Sequence, residues 1–312
     1  MENKIFCSIV INTYNRAKIL KERSLPSALN QITQFHYEVI VIDDCSTDDT
    51  EELMRGLVKV YPKLSYYKHK ENYGLSTSRN SGARVAKGEF IVFLDDDDEL
   101  AQYTLEAGLT IIEKSPNINI AMGSRIIAVP NASVFSPVNP INNRTFYVSL
   151  DDGFIIRKKV FDEIQYDETL LTNEDADFGI QYMRKYGSDT FFVFHNCFLI
   201  KYGHTEKEKS WGAPSERTYI GMEKYMKKNL PLYYEHAKKH NETIELLYIL
   251  NYMGRLYCEG GRIKEGFKYF LQAFKVKPTI NGFKYLVTSL LGPKIFYSQW
   301  KKVHSTFKVK KI

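Results

Sequence analysis

Four aspartates in succession, Asp95 to Asp98, close an apolar run from Phe90 to Leu94. Adjacent carboxylates repel one another, and away from bulk water such a run is tolerable only with a cation or several hydrogen-bond donors. Hard oxygen ligands suit Mg²⁺ or Mn²⁺. A divalent ion there would bridge two phosphates of a nucleotide and stabilise the charge on a departing diphosphate. An acidic turn that caps a helix is the plainer alternative, and the hydrophobic strand directly before the run argues against it.

Two other segments offer chemistry at the end of an apolar run. Asp43 and Asp44 open the polar stretch to Asp48. A carboxylate at that point can accept a hydrogen bond from the N3–H of uracil, a proton that cytosine lacks. In Asn12 to Arg16, Tyr14 is placed to stack on a base and Arg16 to reach a phosphate. Arg79 and Asn80 lie on a helix opening near Ser76, where the arginine can meet a base or a phosphate oxygen. Asn173 to Asp177 opens another helix, where acids are favoured by the helix dipole. The functional reading of that acidic turn is a general base for an attacking hydroxyl. His204, in a Gly-His-Thr loop, is a further candidate metal ligand.

Those residues need a frame. Apolar runs at Phe6–Ile11, Tyr37–Ile42, Leu64–Tyr67 and Glu89–Leu94 read as strands. Helical spacing appears at 20–30, after Asp48 or Asp49 as cap, at 76–86 and at 103–114. Strands alternating with helices imply a mostly parallel sheet covered on both faces, with ligands bound beyond the carboxyl ends of the strands. On that topology Asn12–Arg16, Asp43–Asp44 and Asp95–Asp98 converge on one crevice. Farther along, 118–122 and 125–129 read as strands and 130–143 as a loop. The stretch 152–161 runs from strand to helix, 173–185 is helical, and 190–194 and 198–202 are strands. Residues 204–214 read as a closing loop, and everything from about 215 as helix.

The 312 residues suffice for one large domain, 1–214, and a smaller basic helical region, 215–312. Hydrophobic residues at 44% and charged residues at 26% are ordinary for a folded soluble protein. Cys7, Cys45, Cys197 and Cys258 form no CxxC pair, which argues against a zinc or dithiol site and fits a reducing, cytoplasmic setting. Net charge is +6, but residues from 201 onward hold 22 Lys and Arg against 9 acids. That asymmetry points to an anionic partner, with a membrane face preferred to nucleic acid. Gly254, Tyr257, Gly261, Phe270, Ala273 and Pro278 fall at the spacing of a single tetratricopeptide-like helix pair. A lone pair must pack on the rest of the chain or on a second copy, so a homodimer is the alternative use of this region.

Taken together the segments over residues 5–210 resemble the family 2 glycosyltransferases. These have the GT-A fold, an α/β architecture with a mostly parallel sheet flanked by helices. Ser8 to Arg16 is similar to the family's first strand and nucleotide loop, and Val39 to Asp48 to its second strand and uracil-contacting acid. Arg79 to Gly82, followed by Gly88 to Asp98, resembles its helix, strand and DxD motif. Glu174 and Asp175 resemble its ED motif. The resemblance implies an inverting, metal-dependent transfer of a single sugar from a nucleotide-sugar, a UDP-sugar first, to a hydroxyl of a glycan or lipid-linked acceptor. It implies Asp175 as the base. Thr13, Tyr14, Asn15, Arg16, Asp43, Asp44, Arg79, Asn80, Asp95 and Asp96 then surround the donor, and Asp95, Asp97 and His204 hold Mn²⁺ or Mg²⁺. The QxxRW-type motif of processive synthases is absent. A sugar-phosphate nucleotidyltransferase would carry a Gly-rich loop where Asn12–Arg16 has no glycine. A non-catalytic glycan-binding module would lack the acids.

Overall fold

The computed structural model describes residues 4–129, 132–138, 141–202 and 215–290. They form two compact units: residues Met1–Thr169 with Glu174–Thr205, and Leu170–Asn173 with Glu206–Ile312.

The first unit is an α/β sheet protein. In chain order it holds β1 (Cys7–Thr13), α1 (Ala17–Glu22), α2 (Ser24–Leu29), β2 (Tyr37–Asp43), α3 (Thr50–Leu57), β3 (Leu64–Lys68) and α4 (Leu75–Val85). There follow β4 (Phe90–Asp95), β5 (Glu99–Leu100), α5 (Thr104–Glu113), β6 (Ile120–Val129), β7 (Ala132–Ser136), β8 (Phe154–Arg157), α6 (Glu174–Tyr186) and β9 (Phe191–Tyr202). The strands make one sheet in the order β3-β2-β1-β4-β8-β6-β9-β5, with β7 on β6. The pairs β3–β2, β2–β1 and β1–β4 are parallel, as the strand–helix alternation predicts. Beyond β4 the sheet is mixed, because β8 joins antiparallel.

Side chains along a strand alternate between faces, and the core divides accordingly. Cys7, Ile9 and Ile11 pack with Leu20, Leu25, Met54 and Leu105 on one face. Val10, Ile40, Ile42 and Phe93 pack with Ala83, Phe161, Tyr166 and Phe178 on the other. Near the entry to the parallel strands, the Ser8 hydroxyl donates to Glu38 (2.7 Å) and accepts from the Gly88 amide (2.9 Å). A Cβ on Gly88 would meet the Cys7 and Ser8 backbone at 2.6 Å, so only glycine lets the chain enter β4 there.

Three local expectations change. The helix expected over 20–30 is two helices broken at Arg23. Pro26 has no N–H to give a continuous helix, and restarting at Ser24 puts it in a first turn, where none is needed. The break lets Arg23 reach the Asp97 carbonyl (3.2 Å). Part of the expected loop 130–143 is β7, a short Ala-Ser-Val-Phe-Ser segment set among Pro and Asn residues and held by its ladder to β6. The strands expected at 118–122 and 125–129 are one strand, β6, and those expected at 190–194 and 198–202 are one strand, β9, which carries the extra residues where the two ladders slip register.

The second unit contains α7 (Glu216–His240), α8 (Ile244–Glu259), α9 (Ile263–Val276) and α10 (Ile280–Leu290). In the α8–α9 pair a Cβ on Gly254 would strike the Phe270 ring at 2.6 Å, and one on Gly266 the Cys258 sulfur at 2.5 Å. The expected helix pair therefore exists, and its small residues allow the close approach. No described helix is long and apolar enough to cross a membrane.

Candidate active site

Strand register decides which groups meet. Asn12 of β1 lies opposite Asp95 of β4, and Thr13 opposite Asp43 of β2. The three parallel strands thus end level, with β1 in the middle. Beyond their ends is a crevice of about 360 Å³, bounded by Asn12 to Tyr14, Arg16, Asp44, Leu75 and Asp95 to Asp97. The three segments expected to converge do so.

The four aspartates of the run occupy four different settings. Asp95 lies between the guanidinium of Arg79 (3.4 Å) and the ammonium of Lys201 (4.0 Å). Burial pushes its carboxyl up to about 6, against the pull of Arg79 and Lys201 and with the help of Asp151 and Asp98. Asp96 accepts from the Thr13 hydroxyl (2.8 Å) and from Arg16 (2.9 Å), and burial raises its pKa as well. Asp97 pairs with Arg16 at 2.8 Å. Asp98 turns inward, accepting from the Tyr202 amide (2.9 Å) and pairing with Lys201 (3.2 Å).

At the end of β2 the two acids diverge. Asp43 is fully buried and spends its oxygens inside the fold, on the Ser46 amide (2.7 Å) and the Tyr66 hydroxyl (2.5 Å). Asp44 faces the crevice. The Tyr73 and Gly74 amides (2.9 and 2.7 Å) and His69 Nδ1 (2.9 Å) hold it there. A carboxylate so held keeps lone pairs for a further donor. Tyr14 is half exposed beside it. Asn15, with φ 54°, shapes the loop by accepting from the Thr47 amide (2.7 Å). Asn80 is turned away. It braces Tyr166 through that residue's amide and carbonyl, and it borders a separate cavity with Arg84 and Lys158.

Arg79 is 1% exposed and joins two regions. One nitrogen holds Glu174 at 2.8 Å and another holds Asp95, while the plane lies 5.2 Å from the Tyr166 ring centroid. The DDDD turn and the start of α6 are thereby tied by a single guanidinium. Asp175, next to Glu174 in the first turn of α6, accepts a hydrogen bond from the Ser149 hydroxyl. Asp177 is buried and accepts from Gln181 (2.8 Å). His204 lies outside the described residues.

Two features escape sequence reasoning. Asn12 is 6% exposed, lines the crevice, and neither atom of its amide has a hydrogen-bond partner. Its place at the end of an apolar strand was the available signal. The second feature is a set of charges behind Asp95: Lys201 with Asp151 (3.2 Å) and Asp152 (3.0 Å), and Arg125 gripping Asp151 through two nitrogens (2.5 and 3.1 Å). Nothing in the sequence spacing marks it.

A divalent cation fits these residues. Asp95 to Asp98, Asp151, Asp152 and Glu174 are seven carboxylates set against Arg16, Arg79, Arg125 and Lys201. The donors are all hard oxygens, the class that Mg²⁺ and Mn²⁺ take. The orphaned Asn12 amide is likewise what a polar ligand would satisfy.

Comparison with known proteins bears on the family and the fold. The family model described as glycosyl transferase family 2 matches residues 8–202. The chain is 28% identical over 298 residues to an uncharacterised glycosyltransferase of Haemophilus influenzae, covering 92% of this chain and 96% of that protein. It is 31% identical over 254 residues to the poly(ribitol-phosphate) β-N-acetylglucosaminyltransferase TarP of Staphylococcus aureus, covering 75% of each. Among solved structures it resembles S. aureus TarS 1–349 in complex with UDP-GlcNAc. The TM-score is 0.55 at 20% identity, over 91% of this chain and 79% of that one, a likeness of fold.

Proposed function

The chain belongs to glycosyl transferase family 2, and on that premise we propose that it moves one sugar from a UDP-sugar to a hydroxyl of a phosphate-containing or lipid-linked glycan, with inversion. UDP-N-acetylglucosamine is the first donor to test, because the relative TarP is named as an N-acetylglucosaminyltransferase and TarS is described in complex with UDP-GlcNAc. The observation that carries the reading is the meeting of Asp44, Asn12 and Asp95–Asp97 in one crevice that Arg79 ties to the Glu174–Asp175 turn.

The residues divide the work. Asp44 accepts the uracil N3–H and Tyr14 stacks on the base. Asn12, at the middle strand, hydrogen-bonds the nucleoside between base and phosphates. Asp97, with Asp95, would hold Mn²⁺ or Mg²⁺, which when bound supplies positive charge to the departing diphosphate. Arg79 keeps Glu174 and Asp95 in place. Asp175 takes the proton of the acceptor hydroxyl as its oxygen attacks the anomeric carbon from the side opposite the diphosphate, which inverts that centre.

The test pairs turnover with stability. A panel of nucleotide-sugars is incubated with the protein and Mn²⁺, and release of the nucleotide is measured. UDP-sugars should be consumed and CDP-sugars should not. Asn12→Val is informative because its two effects have opposite sign. Removing an unsatisfied buried amide should raise stability by about 1–3 kcal/mol, read as a higher melting temperature. UDP should bind about tenfold more weakly for the loss of about one hydrogen bond. A variant that melts lower and binds UDP unchanged would assign Asn12 to the fold alone.

A further inference from the structure

Lys201 is the next-to-last residue of strand β9, and its ammonium sits among four carboxylates. Asp152 is at 3.0 Å, Asp98 and Asp151 at 3.2 Å and Asp95 at 4.0 Å. One oxygen from each of Asp95, Asp98 and Asp152 lies within 4.8 Å of the others. Hard oxygens gathered that closely can share a single divalent ion. Such spacing makes the triad a ligand set for a divalent cation, and the cation found among its oxygens is a lysine.

Asp152 supplies a second, separate sign. Its side chain is wholly buried, one oxygen is on Lys201, and Oδ2 has no hydrogen-bond partner. A buried carboxylate oxygen without a donor is costly unless a cation is close by. Arg125 does not relieve it through its side-chain bonds, since both go to Asp151 and its third contact is the Asp152 carbonyl.

We propose that Lys201 is a positioning residue that serves as a resident cation. It fills the Asp95, Asp98 and Asp152 triad, denies that triad to a divalent ion, and holds Asp95 so that the carboxylate faces the crevice beside Asp97. The advantage over a second metal is permanence. A side-chain charge stays when a nucleotide diphosphate leaves with its ion, so Asp95 and Asp98 keep their places between turnovers. Lys201 is also one-third exposed, so solvent reaches the cluster and an ion could enter once the ammonium is removed. The role given to Asp97 rests on the metal reading under Proposed function. The filling of the triad does not.

The experiment counts bound Mn²⁺, using the metal alone, by calorimetry and by electron paramagnetic resonance on the full chain. Lys201→Met and Lys201→Gln should each take up one Mn²⁺ per chain beyond the wild-type complement, and adding Asp152→Asn should remove it. Both variants should melt below wild type in EDTA and recover in Mn²⁺, whereas Lys201→Arg should keep the wild-type ion count and melting temperature. Variants that fold, bind only the wild-type number of ions and gain nothing from Mn²⁺ would overturn the proposal. So would variants that stay unfolded in Mn²⁺, since a divalent ion should replace the lost ammonium. A wild type that binds no Mn²⁺ at all would instead count against the metal reading of Asp97, leaving the gain in the variants to decide on Lys201.

Discussion

Asp175→Asn should lower kcat for sugar transfer by about 10²–10⁴-fold, the range that a positioned general base contributes, while the Kd for UDP stays within about twofold. Asp175 shares the first turn of α6 with Glu174 and Asp177, so the acidic start of the helix does not depend on it alone. Asparagine has the same shape, and its side-chain oxygen can still accept from the Ser149 hydroxyl, the bond seen to Asp175. The substitution therefore removes proton acceptance with little change in packing. Stopped-time transfer assays with donor and acceptor both saturating give kcat, and titration of UDP gives the binding control. Turnover at the wild-type rate would remove Asp175 from the mechanism. Loss of UDP binding in parallel with kcat would show that the residue serves donor binding instead.

Replacing Arg79 with Met should cost about 3–5 kcal/mol of stability, the penalty for leaving buried partners of an ion pair without their counter-charge. The side chain is almost wholly enclosed and holds Glu174 and Asp95 at once. Methionine fills much of the space but compensates neither carboxylate. Lysine keeps the charge but lacks the planar fork that reaches two acids and lies over Tyr166, so Arg79→Lys should fall between wild type and Arg79→Met. The urea midpoint is the measurement, and adding Glu174→Gln to Arg79→Met should recover part of the loss, because the pair is coupled. A midpoint within a few tenths of a molar of wild type in Arg79→Met would mean that Arg79 does not hold these acids. Transfer should fall more steeply than stability, since the same guanidinium ties the DDDD turn to the helix that carries Asp175.

Much of the catalytic half was legible because its signals are local. An apolar run followed by acids announces a strand end, and alternating strands and helices dictate that such ends lie on one edge of a sheet. The choice between Asp43 and Asp44 was not local. Adjacent residues leaving a strand point to opposite sides, so one acid was bound to face inward. The Ser46 amide and the Tyr66 hydroxyl claim Asp43, while the amides of Tyr73 and Gly74 claim Asp44. The same holds for Arg79 and Asn80, neighbours on α4 that face a buried ion-pair network and the Tyr166 backbone respectively. His69, which helps to hold Asp44, carries no motif and gains its role only from the register of β3 beside β2.

Chain order alone determined an α/β sheet protein with acids at the ends of its parallel strands, followed by a helical region with one closely packed pair. Tertiary structure alone decided that the Asn12 amide is left without partners at the crevice floor and that Lys201, about a hundred residues from the acids after β4, stands among them. The physical reason is range. Periodicity and turn chemistry act over a few residues and are written in the chain. The balance of buried charges and the satisfaction of buried polar atoms depend on which distant strands become neighbours.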